Sequence, residues 1–425
     1  MINPTSEYAV PQSSNNLFDR VSRSVLNAKL SGITSGQLTI NDSGASQVYG
    51  SVNGAADVIA VVHVHDSRFY SDVVLGGSIG AAETYIRGYW TTDDLTAVIR
   101  IFVANRTALE QLDSGWATLV TPLRRLLHWM NRNTRNGSRK NISAHYDLGN
   151  EFFALWLDER MMYSSAIFER TGMSLEDAAT AKLERICQKL DLQAGDRVVE
   201  IGTGWGGFAI YAAQQYGCHV ITTTISREQH DLARERVTSA GLDDRVTVLE
   251  KDYRDLEGEY DKLVSIEMIE AVGHENLGEF FDKCSSLLKE DGVMCLQSIT
   301  IADQRFEQAS KSVDFIQKYI FPGGCLPSLT ALSGAICNFS DMQIRHVEDF
   351  GQHYALTLNE WRSRFGAQLA EIRGQGYSDE FLRLWDYYFC YCEGAFTERA
   401  IGVSQLLISR PGDQREALLG DLRQI

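Results

Sequence analysis

The sequence predicts an α/β protein, built on a doubly wound parallel sheet with a helical cap and preceded by a small α+β domain. Three observations point there. From residue 193 onward, short apolar runs alternate with stretches of helical spacing. One of these runs, Arg197 to Ile201, leads directly into the glycine loop Glu200-Ile201-Gly202-Thr203-Gly204-Trp205-Gly206-Gly207, with a helix behind it. A chain of 425 residues also has room for a second domain ahead of that sheet.

Residues 1–16 read as a loose leader rich in Ser, Asn and Pro. Leu17 to Leu30 has helical spacing. Strand-like runs follow at Gly36 to Ile40, Val48 to Gly50 and Val58 to Val64. A glycine-rich segment, Val73 to Gly80, leads into a helix near Ala81 to Ile86, and Thr92-Asp93-Asp94-Leu95 reads as the cap of another. These elements form a small α+β N-terminal domain over 17–112, with a linker over 113–145 and a larger α/β domain over 146–425. In that last domain, strands are expected at Arg197 to Ile201, Cys218 to Thr224, Val246 to Glu250, Lys262 to Ile266 and Val293 to Ile301. Helices are expected at Phe208 to Tyr216, Arg227 to Ala240 and Leu277 to Lys289. Residues 303–340 interrupt the alternation and read as a cap over the sheet, its aromatic run Phe315 to Phe321 being cap core or tunnel wall. Helices at 360–372 and 379–394 and a strand at Val403 to Ser409 close the chain.

Composition narrows the function. A formal net charge of -16 argues against general nucleic-acid binding. No run approaches the length that spans a bilayer, and no signal-peptide pattern opens the chain, so a cytoplasmic protein is expected. Eight scattered cysteines, with Cys390 and Cys392 as a C-x-C pair, lack the spacing of a structural zinc site and read as free thiols; no metal is expected. Residues 114–146 stand apart. They hold Arg124, Arg125, Arg132, Arg135, Arg139 and Lys140 and no acid, among Trp116, Leu123, Leu126, Leu127 and Trp129. That is either a solvated linker helix or a segment drawn to phosphate headgroups at the inner face of a membrane.

The loop speaks to the cofactor. Its spacing, G-x-G-x-G-G, is not the G-x-G-x-x-G of dinucleotide binding, and the second strand ends in Thr222-Thr223-Thr224 rather than in a ribose-binding acid. Thr224 and Gln229 can serve the ribose hydroxyls with neutral groups. Gly202, Gly204 and Gly206 allow close backbone approach, Glu200 orients the amino-acid end of a ligand, and Asp252 stands where an adenine-contacting acid belongs, unless it is a plain strand-end cap. The cofactor expected is S-adenosylmethionine, on a Rossmann-like class I methyltransferase sheet.

Further motifs give the chain a family likeness. His145-Tyr146-Asp147-Leu148-Gly149-Asn150, Leu157-Asp158, Met162-Tyr163-Ser164, the glycine loop, Thr224 to Gln229, Ile269-Glu270-Ala271-Val272-Gly273, His353-Tyr354 with Trp361, and Tyr387-Tyr388 through Phe396 all fit one pattern. Over residues 130–410 the chain resembles the cyclopropane-fatty-acyl-phospholipid and mycolic acid cyclopropane synthases. The resemblance implies that Tyr163, Ser164, Gly202, Gly204, Thr224, Gln229 and Tyr253 line the cofactor site, and that Tyr354 belongs to the active centre. It gives His145 a role in closing the site over substrate or cofactor.

It also implies a substrate, the cis double bond of an acyl chain in a phospholipid bilayer, and a homodimer. The alkene attacks the sulfonium methyl group, and a base removes a proton from the added methyl to close a cyclopropane ring. Glu270 is the leading acid, with Glu267 three positions before it. In the family a cysteine, a histidine, a glutamate and a tyrosine help hold a bicarbonate ion as the base. Ser165 and Gln297 replace the first two here, so the anion site implied is Ser165, Glu270, Gln297, Ile299 and Tyr354. Gln297 donates hydrogen bonds but cannot take up a proton as histidine can. Two products therefore stay open, a cyclopropane or a methylene- or methyl-branched chain. A lipid-binding protein without catalysis and a methyltransferase of soluble acceptors are the other classes weighed.

Overall fold

The computed structural model describes residues 17–52, 54, 57–111 and 148–418. His145 and the basic residues Arg124, Arg125, Arg132, Arg135, Arg139 and Lys140 lie outside them. The chain folds as two compact units. The first takes its described residues from Met1–Met130, Ser312–Ile320 and Leu358–Ala400; the second from Asn131–Lys311, Phe321–Thr357 and Ile401–Ile425.

In the first unit, helix α1 (Leu17–Leu30) precedes strands β1 (Gly36–Asp42), β2 (Ala45–Ser51) and β3 (Ile59–Val64). Helix α2 (Arg68–Ile86), strand β4 (Trp90–Thr92) and helices α3 (Leu95–Ala104) and α4 (Arg106–Gln111) follow. The sheet order is β2-β1-β3-β4, with β1 and β3 parallel and the outer pairings antiparallel. Asp94 caps α3 by accepting from the Ala97 amide, as its place in the sequence predicts. The glycine-rich stretch before Ala81 differs from expectation: it is helical from Arg68, with a kink at Gly77 (φ 59°, ψ -136°). Gly80 explains why small residues sit there, since a Cβ would collide with the Asp72 carbonyl oxygen.

The expected boundary near 146 does not separate the units. Three later helices, α11 (Phe315–Tyr319), α14 (Leu369–Gly374) and α15 (Asp379–Thr397), belong with the N-terminal elements. The partners of α15 are there. The Tyr85 hydroxyl donates to Asp386 Oδ2 at 2.7 Å, and Arg362 Nε donates to Oδ1 of the same carboxylate at 2.8 Å. Gly394 lets the helix close on α3, with Ile99 Cγ2 only 2.7 Å from where a Cβ would be. Phe315 packs its ring on Tyr387 and Tyr391, so this part of the expected cap belongs to the first unit.

The second unit is the doubly wound sheet. Its strands are β5 (Arg197–Ile201), β6 (His219–Thr224), β7 (Val246–Glu250), β8 (Tyr260–Ile266), β9 (Leu288–Ile301), β10 (Gln343–Asp349) and β11 (Ile401–Ser409), ordered β10-β11-β9-β8-β5-β6-β7. The five from β5 to β9 pair in parallel, and β11 runs antiparallel to both β9 and β10. Val198, Val199, Leu263, Val264, Met294 and Leu296 are fully buried, as strands covered on both faces require. The short helix α5 (Asn150–Ala154) comes before the sheet, and α10 (Asp303–Ala309) follows β9. Helices α6 (Leu175–Leu190), α7 (Gly207–Tyr216) and α8 (Arg227–Ser239) supply one set of layers, and α9 (Leu277–Leu287) another. Helix α12 (Leu329–Phe339) is a correction to the cap: Leu332, Ala335 and Ile336 join the core cluster of α9 and the sheet, so it is a layer helix. Strand β10 has no apolar alternation to announce it and was not expected from the sequence. Among the described residues, no helix is long and apolar enough to cross a membrane.

Asp386→Ala would leave Tyr85 and Arg362 without this carboxylate in a buried network. It is expected to lower stability by about 3 kcal/mol, read as a shift in the urea unfolding midpoint.

Candidate active site

Three neighbouring strands, β5, β6 and β7, end side by side and build the first half of the site. After β5 the chain turns on Gly202, whose φ of 103° no L side chain adopts comfortably. The Gly202 and Thr203 amides both donate to the Thr223 carbonyl at 3.0 Å, which ties the loop to the end of β6. Gly207 then starts α7 so close to Met162 that a Cβ would strike the thioether sulfur. Over Gly204 a Cβ would meet nothing within 4 Å. The loop is thus packed below and open above.

Glu200 is fully buried at the end of β5. Its Oε2 accepts from the Thr222 hydroxyl at 2.6 Å, and Thr203 Oγ1 lies 2.7 Å from that hydroxyl. Burial pushes the carboxyl up to about 8, against the pull of Thr222 and of the buried Lys182. Thr224 and Gln229 meet at the end of β6, hydroxyl to amide oxygen at 2.9 Å. Tyr253 follows β7 with its ring edge-on to Phe280. Asp252 is more committed than its position suggested: it accepts from Arg254 Nε at 2.9 Å and Nη2 at 2.7 Å, and from the Arg254 amide. The opposite wall is Tyr163, packed among Phe153, Trp156 and Phe321, and Ser164, whose hydroxyl accepts from Lys182 Nζ at 2.8 Å.

The second half sits past β8 and β9. Glu267 has a φ of 49°, a left-handed conformation that costs a side-chain-bearing residue about 1 kcal/mol or more. Its Oε1 accepts from the Ser165 amide at 2.9 Å and from Gln297 Nε2 at 2.7 Å; its Oε2 accepts from the Tyr354 hydroxyl at 2.7 Å. Glu270, on the short 3-10 turn Ile269–Ala271, accepts at Oε1 from the Ile299 amide at 2.6 Å and the Ser298 hydroxyl at 3.0 Å. Its Oε2 is buried and has no hydrogen-bond partner among the described residues. Burial and then the charge of Glu267 push Glu270 up to about 8; burial also raises Glu267, against its three donors and Lys182. Behind Gln297 runs a polar chain. Gln297 Oε1 accepts from Gln405 Nε2 at 3.0 Å, and Lys189 Nζ donates both to Gln405 Oε1 and to Glu348, each at 2.7 Å.

Hydrogen bonds thus gather Ser165, Gln297 and Tyr354 on Glu267, Ile299 on Glu270, and Thr224 on Gln229, with two changes from the expected roles. Ser165 presents its backbone amide, while its hydroxyl donates to the Ala166 carbonyl at 3.1 Å. The donors expected to hold an external anion, from Ser165, Gln297, Tyr354 and Ile299, instead serve the chain's own carboxylates. Sequence reasoning missed Lys182, hidden in the ordinary amphipathic pattern of α6, and the Gln405–Lys189 support, which only sheet pairing reveals.

The model of the mycolic acid cyclopropane synthetase family matches residues 133–406. The chain belongs to that family. A tuberculostearic acid methyltransferase of Mycobacterium tuberculosis, UfaA1, is 36% identical over 85% of this chain and 86% of its own. A cyclopropane-fatty-acyl-phospholipid synthase of Escherichia coli is 38% identical over 84% of this chain and 90% of its own. The crystal structure of mycolic acid cyclopropane synthase CmaA1 complexed with SAH and CTAB superimposes with a TM-score of 0.57 at 30% identity, over 64% of this chain and 98% of the other. The protein is an S-adenosylmethionine-dependent methyltransferase with a class I sheet. Its residues fit the cofactor: the open face over Gly204, the carboxyl of Glu200 and the Thr224–Gln229 pair lie along one strand edge. When bound, S-adenosylmethionine supplies an electrophilic methyl group. Beyond the cradle lie the half-buried carboxyls of Glu267 and Glu270, and Tyr163 stands among the rings of Phe153, Trp156 and Phe321.

Carboxyls raised from 4.5 to about 8 hold a proton more tightly in the folded than in the unfolded chain. The stability they contribute is complete below pH 4.5 and is lost as the pH rises toward 8. Lys182, pulled down to about 8 by burial, regains stability only above that value. The cofactor-free protein should therefore have a lower urea midpoint at pH 8 than at pH 5.5, and Glu270→Gln should flatten the difference.

Proposed function

We propose that this methyltransferase adds the methyl carbon of S-adenosylmethionine to the cis double bond of an unsaturated acyl chain in a phospholipid and closes a cyclopropane ring. The observation that carries the reading is the half-buried pair Glu267 and Glu270, whose carboxyls take their hydrogen bonds from the protein beside the cofactor cradle. An alkene has no acidic hydrogen to lose before it attacks, so the demanding step is to stabilise the lipid cation and then deprotonate it. Carboxyls held out of water at that point suit both needs. The relative named as a phospholipid synthase supports the acceptor, since it spans most of both chains.

A second reading rests on Gln297 and on the relative named as a tuberculostearic acid methyltransferase. After a hydride shift in the cation, loss of the proton leaves a methylene-branched chain that a later reduction makes methyl-branched. In either case the protein works at the inner membrane face from the cytoplasm. The basic segment from Arg124 to Lys140 meets the headgroups, and two copies associate as a homodimer.

The deciding experiment is incubation with S-adenosylmethionine and phospholipid vesicles bearing oleoyl chains, with the product examined by NMR. Upfield cyclopropyl protons are expected. Exomethylene protons in their place would establish the second reading, and turnover of soluble acceptors without any lipid product would end both.

A further inference from the structure

We propose that Glu267 is the base of the transfer, its carboxylate standing in the place of an external bicarbonate ion. The proposal rests on the acyl-chain reading above, and it holds for either product. Bicarbonate does not fit this site. The donors that would hold it converge on Glu267 Oε1 and Oε2, at 2.9 Å from the Ser165 amide, 2.7 Å from Gln297 and 2.7 Å from Tyr354. The Ile299 amide is taken by Glu270. A further anion would sit against the Glu267 carboxylate in a site shielded from water, where like charges repel.

Glu267 also has what a base needs. A carboxylate offers about four acceptor positions; three are filled, and one on Oε2 remains for a substrate proton. The three donors favour its charged form, whereas Glu270, with two donors on one oxygen and none on the other, is the member of the pair that keeps the proton. The backbone argues the same way. A left-handed φ at a glutamate is maintained against its steric cost, and the side chain it aims is the one that gathers the donors.

The step balances. The π pair of the alkene forms the bond to the incoming methyl carbon as the methyl–sulfur bond breaks, its pair remaining on sulfur. The lipid now carries a positive charge. Glu267 takes one hydrogen of the added methyl as a proton, and the pair of that C–H bond closes the ring, or forms the exomethylene double bond if a hydride has shifted. Glu267 is left as the neutral acid and returns its proton to water after product release.

The test uses the full-length protein with S-adenosylmethionine and dioleoyl phosphatidylglycerol vesicles in buffer freed of carbon dioxide, with and without added bicarbonate. Cofactor affinity is measured separately by calorimetry. The wild type is expected to keep the same rate, within about twofold, with or without bicarbonate. Glu267→Gln should lose about a hundredfold or more in rate while binding the cofactor normally. Glu267→Gly, which suits the left-handed backbone, should be as slow until bicarbonate is added and then speed up at least about tenfold. A wild type that needs bicarbonate, a Gln variant of undiminished rate, or a Gly variant unmoved by bicarbonate would each overturn the proposal. A wild type silent on every unsaturated lipid under both conditions removes the acyl-chain reading instead, which the variants alone cannot do.

Discussion

The site depends on holding three carboxyls, the buried Glu200 and the half-buried Glu267 and Glu270, at one end of a sheet without letting them repel one another. Desolvation raises all three. The chain answers with a buried cation, Lys182, and with an uneven distribution of donors. Glu200 receives a threonine hydroxyl, Glu270 an amide and a serine hydroxyl on one oxygen, and Glu267 an amide, an amide side chain and a phenol. With Glu267 proposed as the base, that unevenness is what leaves it the charge and Glu270 the proton. Most of the surrounding architecture is needed to deliver those donors: β9 brings Gln297, Ser298 and Ile299, the segment after Tyr163 brings Ser165, and helix α13 (Gly351–Ala367) brings Tyr354.

Much of this was legible in the sequence because strand ends are marked by chemistry. The glycine loop after β5, the threonines closing β6 and the acid after β7 sit where an alternating pattern places them, and the structure sets all three along one edge. Glu270, Gln297 and Tyr354 were legible through family likeness rather than spacing, since they are far apart in the chain. The N-terminal region was harder. A glycine-rich run reads as a break, yet in α2 the small residues let a kinked helix close on its own backbone. Nor could periodicity assign Leu358–Ala400 to the N-terminal unit, because its ties there are polar pairs far apart in sequence, Tyr85 with Asp386, Thr96 with Glu393 and Arg100 with Glu398.

The roles of Ser165 and Glu267 were out of reach for a different reason. A serine invites a hydroxyl reading, and nothing in sequence says that its amide will be the group that points inward. Likewise two acids three apart suggest a shared helical face, whereas the chain enters the turn through a left-handed residue and aims Glu267 at its own set of donors. Local conformation, not residue type, assigns the chemistry at both positions.

The pairing of Gln297 with Gln405 across β9 and β11 has one more consequence. A glutamine amide can present either an oxygen or a nitrogen, and a carboxylate tolerates only the nitrogen. Lys189, which can only donate, claims the oxygen of Gln405; this turns the Gln405 nitrogen toward Gln297 and the Gln297 nitrogen toward Glu267. The polarity of the innermost hydrogen bond is thus written two residues back, by a lysine whose own charge is anchored on Glu348. An acceptor at 189 would instead draw the Gln405 nitrogen to itself and turn its oxygen toward Gln297, setting two amide oxygens face to face behind the carboxylate.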